Sequence, residues 1–182
     1  MENAKKSSVN LAVKWAVIYV ITSIIITYIF QFLNVDQTSP VKYLSYIPFI
    51  AFLLLAQKEY KDLLGGYLTF SEGFMSGFLY SVFAGLMLAV FIYLYLGILS
   101  PQILDQSMAA QHDKFVQSGM SEDQIDKATE ITKKYGAIFG AIGTAIVTPI
   151  IGAIIALIGA SILKKERSPL ETATDTYTDP SV

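Results

Sequence analysis

The chain has 182 residues, 53% hydrophobic and 15% charged, with a formal net charge of −2. Soluble domains carry about 25% charged residues, so the deficit points to lipid as part of the solvent, and the acidic balance excludes the basic face that a nucleic acid needs. With no cysteine, disulfides, thiolate metal ligands and cysteine nucleophiles are excluded, and the single His112 is too little for a histidine metal site or paired haem ligands. No cofactor and no metal site is predicted.

Residues 1–10 are short and polar, with Lys5 and Lys6. Residues 11–33 form the first apolar run, interrupted only by Lys14. The run is too long for the core of a secretory signal and lacks a small-x-small cleavage site. It is predicted as a retained span, with Lys14 snorkelling to the interface. Residues 34–42, with Asp36, Ser39 and Pro40, have turn chemistry. The next apolar run, 44–56, is short for a bilayer that needs about 20 helical residues. It becomes adequate over 41–58, with Lys42 and Lys58 at opposite ends and a kink at Pro48; a re-entrant segment is the alternative. Residues 57–66 read as a charged loop (Lys58, Glu59, Lys61, Asp62) closing on Gly65 and Gly66.

Thr69 stands three residues before Glu72, the spacing of a capping box at a helix start. Glu72 is also a lesser candidate for a functional carboxylate at a membrane mouth. The third span, 70–99, has a small residue at every fourth position: Gly73, Gly77, Ser81, Gly85 and Ala89. Residues four apart share a helix face, so these form a groove bordered by Phe74, Phe78, Leu86 and Leu88. Such grooves let membrane helices approach closely, which is how they gain packing energy.

Ser100-Pro101 looks like a cap followed by proline at the first helical position. Residues 100–136 are predicted as an amphipathic helical insert: one helix over 101–117 ending at Gly119, and a second opened by a capping box at Ser121 and Gln124. The second helix is expected to run into the fourth span, 137–163. There a second series, Gly136, Gly140, Thr144, Thr148 and Gly152, supplies a partner groove. Pro149 removes one backbone hydrogen bond, which the Thr144 and Thr148 hydroxyls or a neighbouring helix are expected to cover; it is a second lesser functional candidate. Residues 164–182 open with Lys164, Lys165 and Arg167 and are predicted to be a disordered tail.

Basic residues near span ends set topology. Placing the N-terminus inside puts Lys5, Lys6, Lys58, Lys61, Lys164, Lys165 and Arg167 in the cytoplasm. The fold class is therefore all-α: a four-helix transmembrane bundle with an extracytoplasmic insert between spans 3 and 4, multi-pass in a bacterial inner membrane, both termini cytoplasmic. No internal repeat of the kind that builds inverted-repeat carriers is found.

Two blocks carry a family resemblance. One is Gly65-Gly66-Tyr67 with Phe70, Phe74 and Gly77-Phe78; the other is Ser100-Pro101 followed by 119–125, Gly-Met-Ser-Glu-Asp-Gln-Ile. In order and spacing the chain resembles, over about residues 6–165, the small bacterial membrane proteins grouped as domain of unknown function 4199, mostly of Bacteroidota. The resemblance implies a four-span inner-membrane protein and transfers no catalytic residue.

An enzyme gathers titratable groups at one place. The apolar parts of the four spans offer no titratable group beyond Lys14 and Glu72, both at span ends, and His112 next to Asp113 is read as a solvated helix surface, so no enzyme is predicted. The expected role is that of a membrane assembly or interaction partner. Its environment is the lipid bilayer, and its candidate recognition surface is the insert over 101–135, with Met108, Phe115, Met120 and Ile125 on apolar faces that either meet a membrane or periplasmic protein or lie on the bilayer surface or the bundle. A homo-oligomer is a further option for the grooves. The alternative function is an oligomeric small-solute transporter or channel lined by Ser23, Thr27, Ser81, Thr144 and Thr148, which the lack of intramembrane charge disfavours.

Overall fold

Among the described residues five α-helices follow one another: α1 (Glu2–Phe32), α2 (Tyr46–Leu63), α3 (Phe70–Leu94), α4 (Gln102–Gln117) and α5 (Glu122–Leu163), with a π-helical turn, Tyr95–Leu99, after α3. This is a computed structural model that describes residues 2–33, 43–44 and 46–166, the first five of these without their side chains. The turn expected at 34–42, the start of the second expected span and the tail from 167 onward lie outside the described residues.

Among the described residues three helical segments are long and apolar enough to cross a membrane: Ser7–Phe32, Phe70–Leu99 and Glu122–Leu163. α2 is not among them, because its last turns carry Lys58, Glu59, Lys61 and Asp62. Those four charges, expected in a loop, are helical. Pro48 is the third residue of α2; amides of the first turn have no partner inside a helix, so proline fits there and the expected kink has no cause. α1 begins at Glu2 and not at residue 11, so the polar N-terminal stretch is helical too. Pro101 has helical dihedrals, φ −63° and ψ −24°, directly before Gln102, while Ser100 does not, at φ −145° and ψ 57°. The second half of the insert and the fourth apolar run are one helix of 42 residues.

The termini explain where helices stop. α2 closes with Gly66 N–H donating to Lys61 O at 3.0 Å and Gly65 N–H to Asp62 O at 3.1 Å, with Gly65 at φ 76°. That is a Schellman cap, which needs the left-handed region that glycine reaches without strain. α4 ends the same way: Met120 N–H donates to Phe115 O and Gly119, at φ 81°, to Val116 O. α3 opens on the expected box, with Thr69 N–H donating to Glu72 Oε2 at 3.0 Å and Glu72 N–H to Thr69 Oγ1 at 3.3 Å. At α5 the Ser121 N–H donates to Gln124 Oε1 at 2.9 Å.

The chain divides into two compact units, residues 1–83 with 150–182, and residues 84–149. In the first, Leu11, Tyr60 and Leu68 are buried together, with Leu64 and Leu163 packed against them. Tyr19, Phe49 and Tyr80 add an aromatic cluster with ring centres 5.2 to 6.3 Å apart, and Tyr80 donates to Phe49 O. Leu68 and Lys165 exchange two backbone hydrogen bonds of 2.8 and 2.9 Å, joining the α2–α3 turn to the end of α5. In the second unit, the end of α3, α4 and the first part of α5 hold Tyr95, Met108 and Ile125 buried.

Candidate functional site

In the first unit the small residues of α3 and α5 meet across a narrow gap that α2 enters. Gln57 is fully buried. Its Nε2 donates to Gly73 O on α3 and to Ala156 O on α5, both at 2.9 Å. One amide thus reaches second lone pairs on the backbones of two helices, which only residues without bulk allow. A Cβ on Gly77 would stand 2.7 Å from Gln57 Nε2 and 2.8 Å from Ala156 Cβ, and a Cβ on Gly159 would collide with Gln57 Oε1. Among the described residues Oε1 has no donor, and it occupies the space that the absent Gly159 side chain leaves. The nearby fit is as tight: a Cβ on Gly73 would sit 3.1 Å from Ala160 Cβ, and one on Gly152 would strike the Ser81 side chain.

Along α1, Lys14 has a partner that the sequence did not disclose. Lys14 Nζ donates to both oxygens of Glu59, at 2.6 and 2.5 Å, and Trp15 Nε1 donates to Glu59 Oε2 at 2.7 Å. The Lys14 hydrogen bond, aided by Trp15 and by the lysine charge, holds the Glu59 carboxyl below its ordinary value of 4.5 against the opposing effect of burial.

The second unit places the remaining groove residues. Gly85 receives Pro149 and Thr148, each 3.1 Å from its Cβ position. Gly140 receives Leu96 and Ile92 at 3.2 and 3.4 Å, and Gly136 receives Leu104 of α4 at 3.0 Å. Ala89 is buried. The Thr144 hydroxyl donates to Gly140 O at 2.8 Å, so it caps its own helix and not the carbonyl freed by Pro149. Glu72 serves the α3 cap. In the insert, Lys133 pairs with Asp105 at 3.0 Å, linking α5 to α4. Met108 and Ile125, whose apolar faces the sequence leaves open to a partner, the bilayer or the bundle, are buried. His112, read as an ordinary surface residue, lies 3.5 Å from both Asp113 and Glu122. Among the described residues no group of three His, Cys, Asp or Glu is arranged to hold a metal.

Sequence reasoning missed Gln57 and Gly159. Gln57 was placed at the first position of a charged loop, yet a glutamine at a span end facing glycine series is the available signal, since a buried amide needs bare backbone to bond. The Lys14–Glu59 pair joins positions too far apart for any local pattern.

A family model described as "Protein of unknown function (DUF4199)" matches residues 14–165. No curated protein and no solved structure matches the chain.

Proposed function

Since the chain belongs to the DUF4199 family of proteins of unknown function, we propose that it is a non-enzymatic protein of the bacterial inner membrane, with four crossings, both termini cytoplasmic and the α4–α5 insert outside, acting as an assembly or interaction partner. A parity consideration supports the fourth crossing. Leu11 of α1 shares one cluster with Tyr60, Leu68 and Leu163, and Leu68 is bonded to Lys165. The beginnings of α1 and α3 and the ends of α2 and α5 therefore lie at one level. If α1 and α3 each leave the same face of the membrane, the chain must return between them, and α2 is the described helix between them.

The observation that carries the functional reading is how the polar groups within the helices are used. Gln57 bonds the bundle's own carbonyls, Lys14 bonds Glu59, and the hydroxyls of Thr27, Ser81 and Thr144 donate to Ser23 O, Phe78 O and Gly140 O. Gln57 and the Lys14–Glu59 pair join neighbouring helices, and the three hydroxyls are satisfied by carbonyls of their own helices, which leaves few of these groups to bind a solute or drive a reaction. Cysteine-accessibility mapping in intact cells tests the topology: labels at Lys61 and after Lys165 are expected on the cytoplasmic side and one at Lys127 outside. Opposite sides for Lys61 and the tail would overturn it. Crosslinking of the full chain, alongside solute flux in liposomes, tests the role; flux with a defined homo-oligomer would favour the transporter.

A further inference from the structure

A cavity of about 430 Å³ lies within the second unit, between the π-helical turn, the start of α4 and α5. Its walls are fixed by close packing: Leu96 seats on Gly140 and Leu104 on Gly136. At its floor Gly97 faces Ala137 without a side chain, and a Cβ added to Gly97 would come into ordinary contact with Ala137 Cβ at 3.5 Å. The π-turn contributes Gly97 here, and such departures from the α-helix occur often at functional sites.

The lining is two-natured. Tyr93, Leu96 and Ile138 are apolar or amphipathic, while Lys133, Lys134 and Asp105 are the charges. Asp105 is paired with Lys133 at 3.0 Å. Lys134 lies 5.2 Å from the ring centre of Tyr135 and has no carboxylate partner among the described residues. Two lysines against one aspartate leave one net positive charge. These two lysines are also the last charges on α5 before an uncharged run to Leu163. Beyond them Ile138 and Phe139 are exposed, 42% and 61%, as side chains facing lipid would be. The cavity therefore sits where a charged helix surface gives way to an apolar one, the level of a lipid headgroup.

We propose that this cavity binds the headgroup of an anionic phospholipid, its phosphate between Lys133 and Lys134 and its upper acyl chain against Leu96 and Ile138. A singly anionic headgroup matches the single net charge of the lining. A zwitterionic one brings its own cation toward Lys134 and gains less. The inference rests on the membrane reading above, whose topology mapping stands or falls by a separate measurement.

The test uses the full chain in nanodiscs of equal phosphatidylglycerol and phosphatidylcholine, followed by release and native mass spectrometry. Wild type is expected to retain phosphatidylglycerol over phosphatidylcholine. Lys133→Gln with Lys134→Gln is expected to lower that retention at least about fivefold, whereas Lys127→Gln, whose lysine pairs with Asp123 away from the cavity, leaves it unchanged. Gly97→Leu fills the cavity without altering charge and is expected to lower retention too; where it fails to fold, the lysine pair decides. Equal retention of the two lipids, unchanged retention in the double lysine variant, or full displacement by inorganic phosphate alone would overturn the proposal.

Discussion

The same four-residue spacing of small side chains builds two different kinds of helix contact. In the first unit small meets small: Gly73 faces Ala160, Gly77 faces Ala156, and Gly152 faces Ser81, with Gln57 bonded to the backbone on both sides. In the second unit small receives large: Leu96 and Ile92 lie over Gly140, Leu104 over Gly136, and the Pro149 ring over Gly85. The first arrangement brings backbones together; the second seats side-chain ends in hollows, with a cavity beside them. A groove motif thus states that something will approach, and the opposite surface decides whether it is backbone or a side chain.

The comparison can be broken by overfilling each groove. Gly152→Leu and Gly77→Leu should be the most damaging, at about 3 kcal/mol or more, since an added Cβ already meets Ser81 or Ala156 and the helices must part. Thermal unfolding in detergent checks this, and a loss below about 1 kcal/mol in both would refute the backbone contact. Next comes Gln57→Ala, which removes two hydrogen bonds and opens a hole, for an expected loss of about 2–3 kcal/mol. Gln57→Leu should recover part of this if volume matters more than the amide. Gly140→Ala should cost within about 1 kcal/mol, because the atom in its way, Leu96 Cδ1 at 3.2 Å, is the tip of a movable side chain. A cost equal to that of Gly77→Ala would erase the distinction between the two contacts.

The smallest effect concerns pH. Glu59 has a lowered pKa in the folded state, so its contribution is complete above its ordinary value of 4.5 and is lost as pH falls through the lowered value. The pair is partly exposed, with Glu59 at 35%, so about 1 kcal/mol is at stake. Acid titration of the fluorescence of Trp15, the only tryptophan, should report this step. Glu59→Gln should abolish the step while leaving the fold intact.

Much of the fold was legible because its causes are local. Helical periodicity, the Thr69–Glu72 box, the glycine stops at Gly65 and Gly119, and the continuity of the insert with the fourth apolar run all depend on residues within a turn or two of each other. The α2 boundaries were misread for the converse reason. Lys58 to Asp62 are charged, which suits a loop as well as a helix leaving lipid, and only tertiary contacts of Glu59 and Tyr60 decide between them. Gly77 and Gly140 were both legible as packing positions, but the identity of what packs on them was not. Met108 and Ile125 show the same limit: an apolar helix stripe announces burial without naming its partner, and here it closes within the insert's own unit.

The paired amides of Leu68 and Lys165 have a consequence for biogenesis. Their residues are about a hundred positions apart, so the turn after α2 is made long before the strand-like partner that completes it. Through synthesis of the third and fourth apolar runs the Leu68 amide must wait, and its closure coincides with the arrival of the last helix. Protection of that amide from hydrogen exchange would time the final step of insertion, as a clasp that fastens only when every preceding helix is in register.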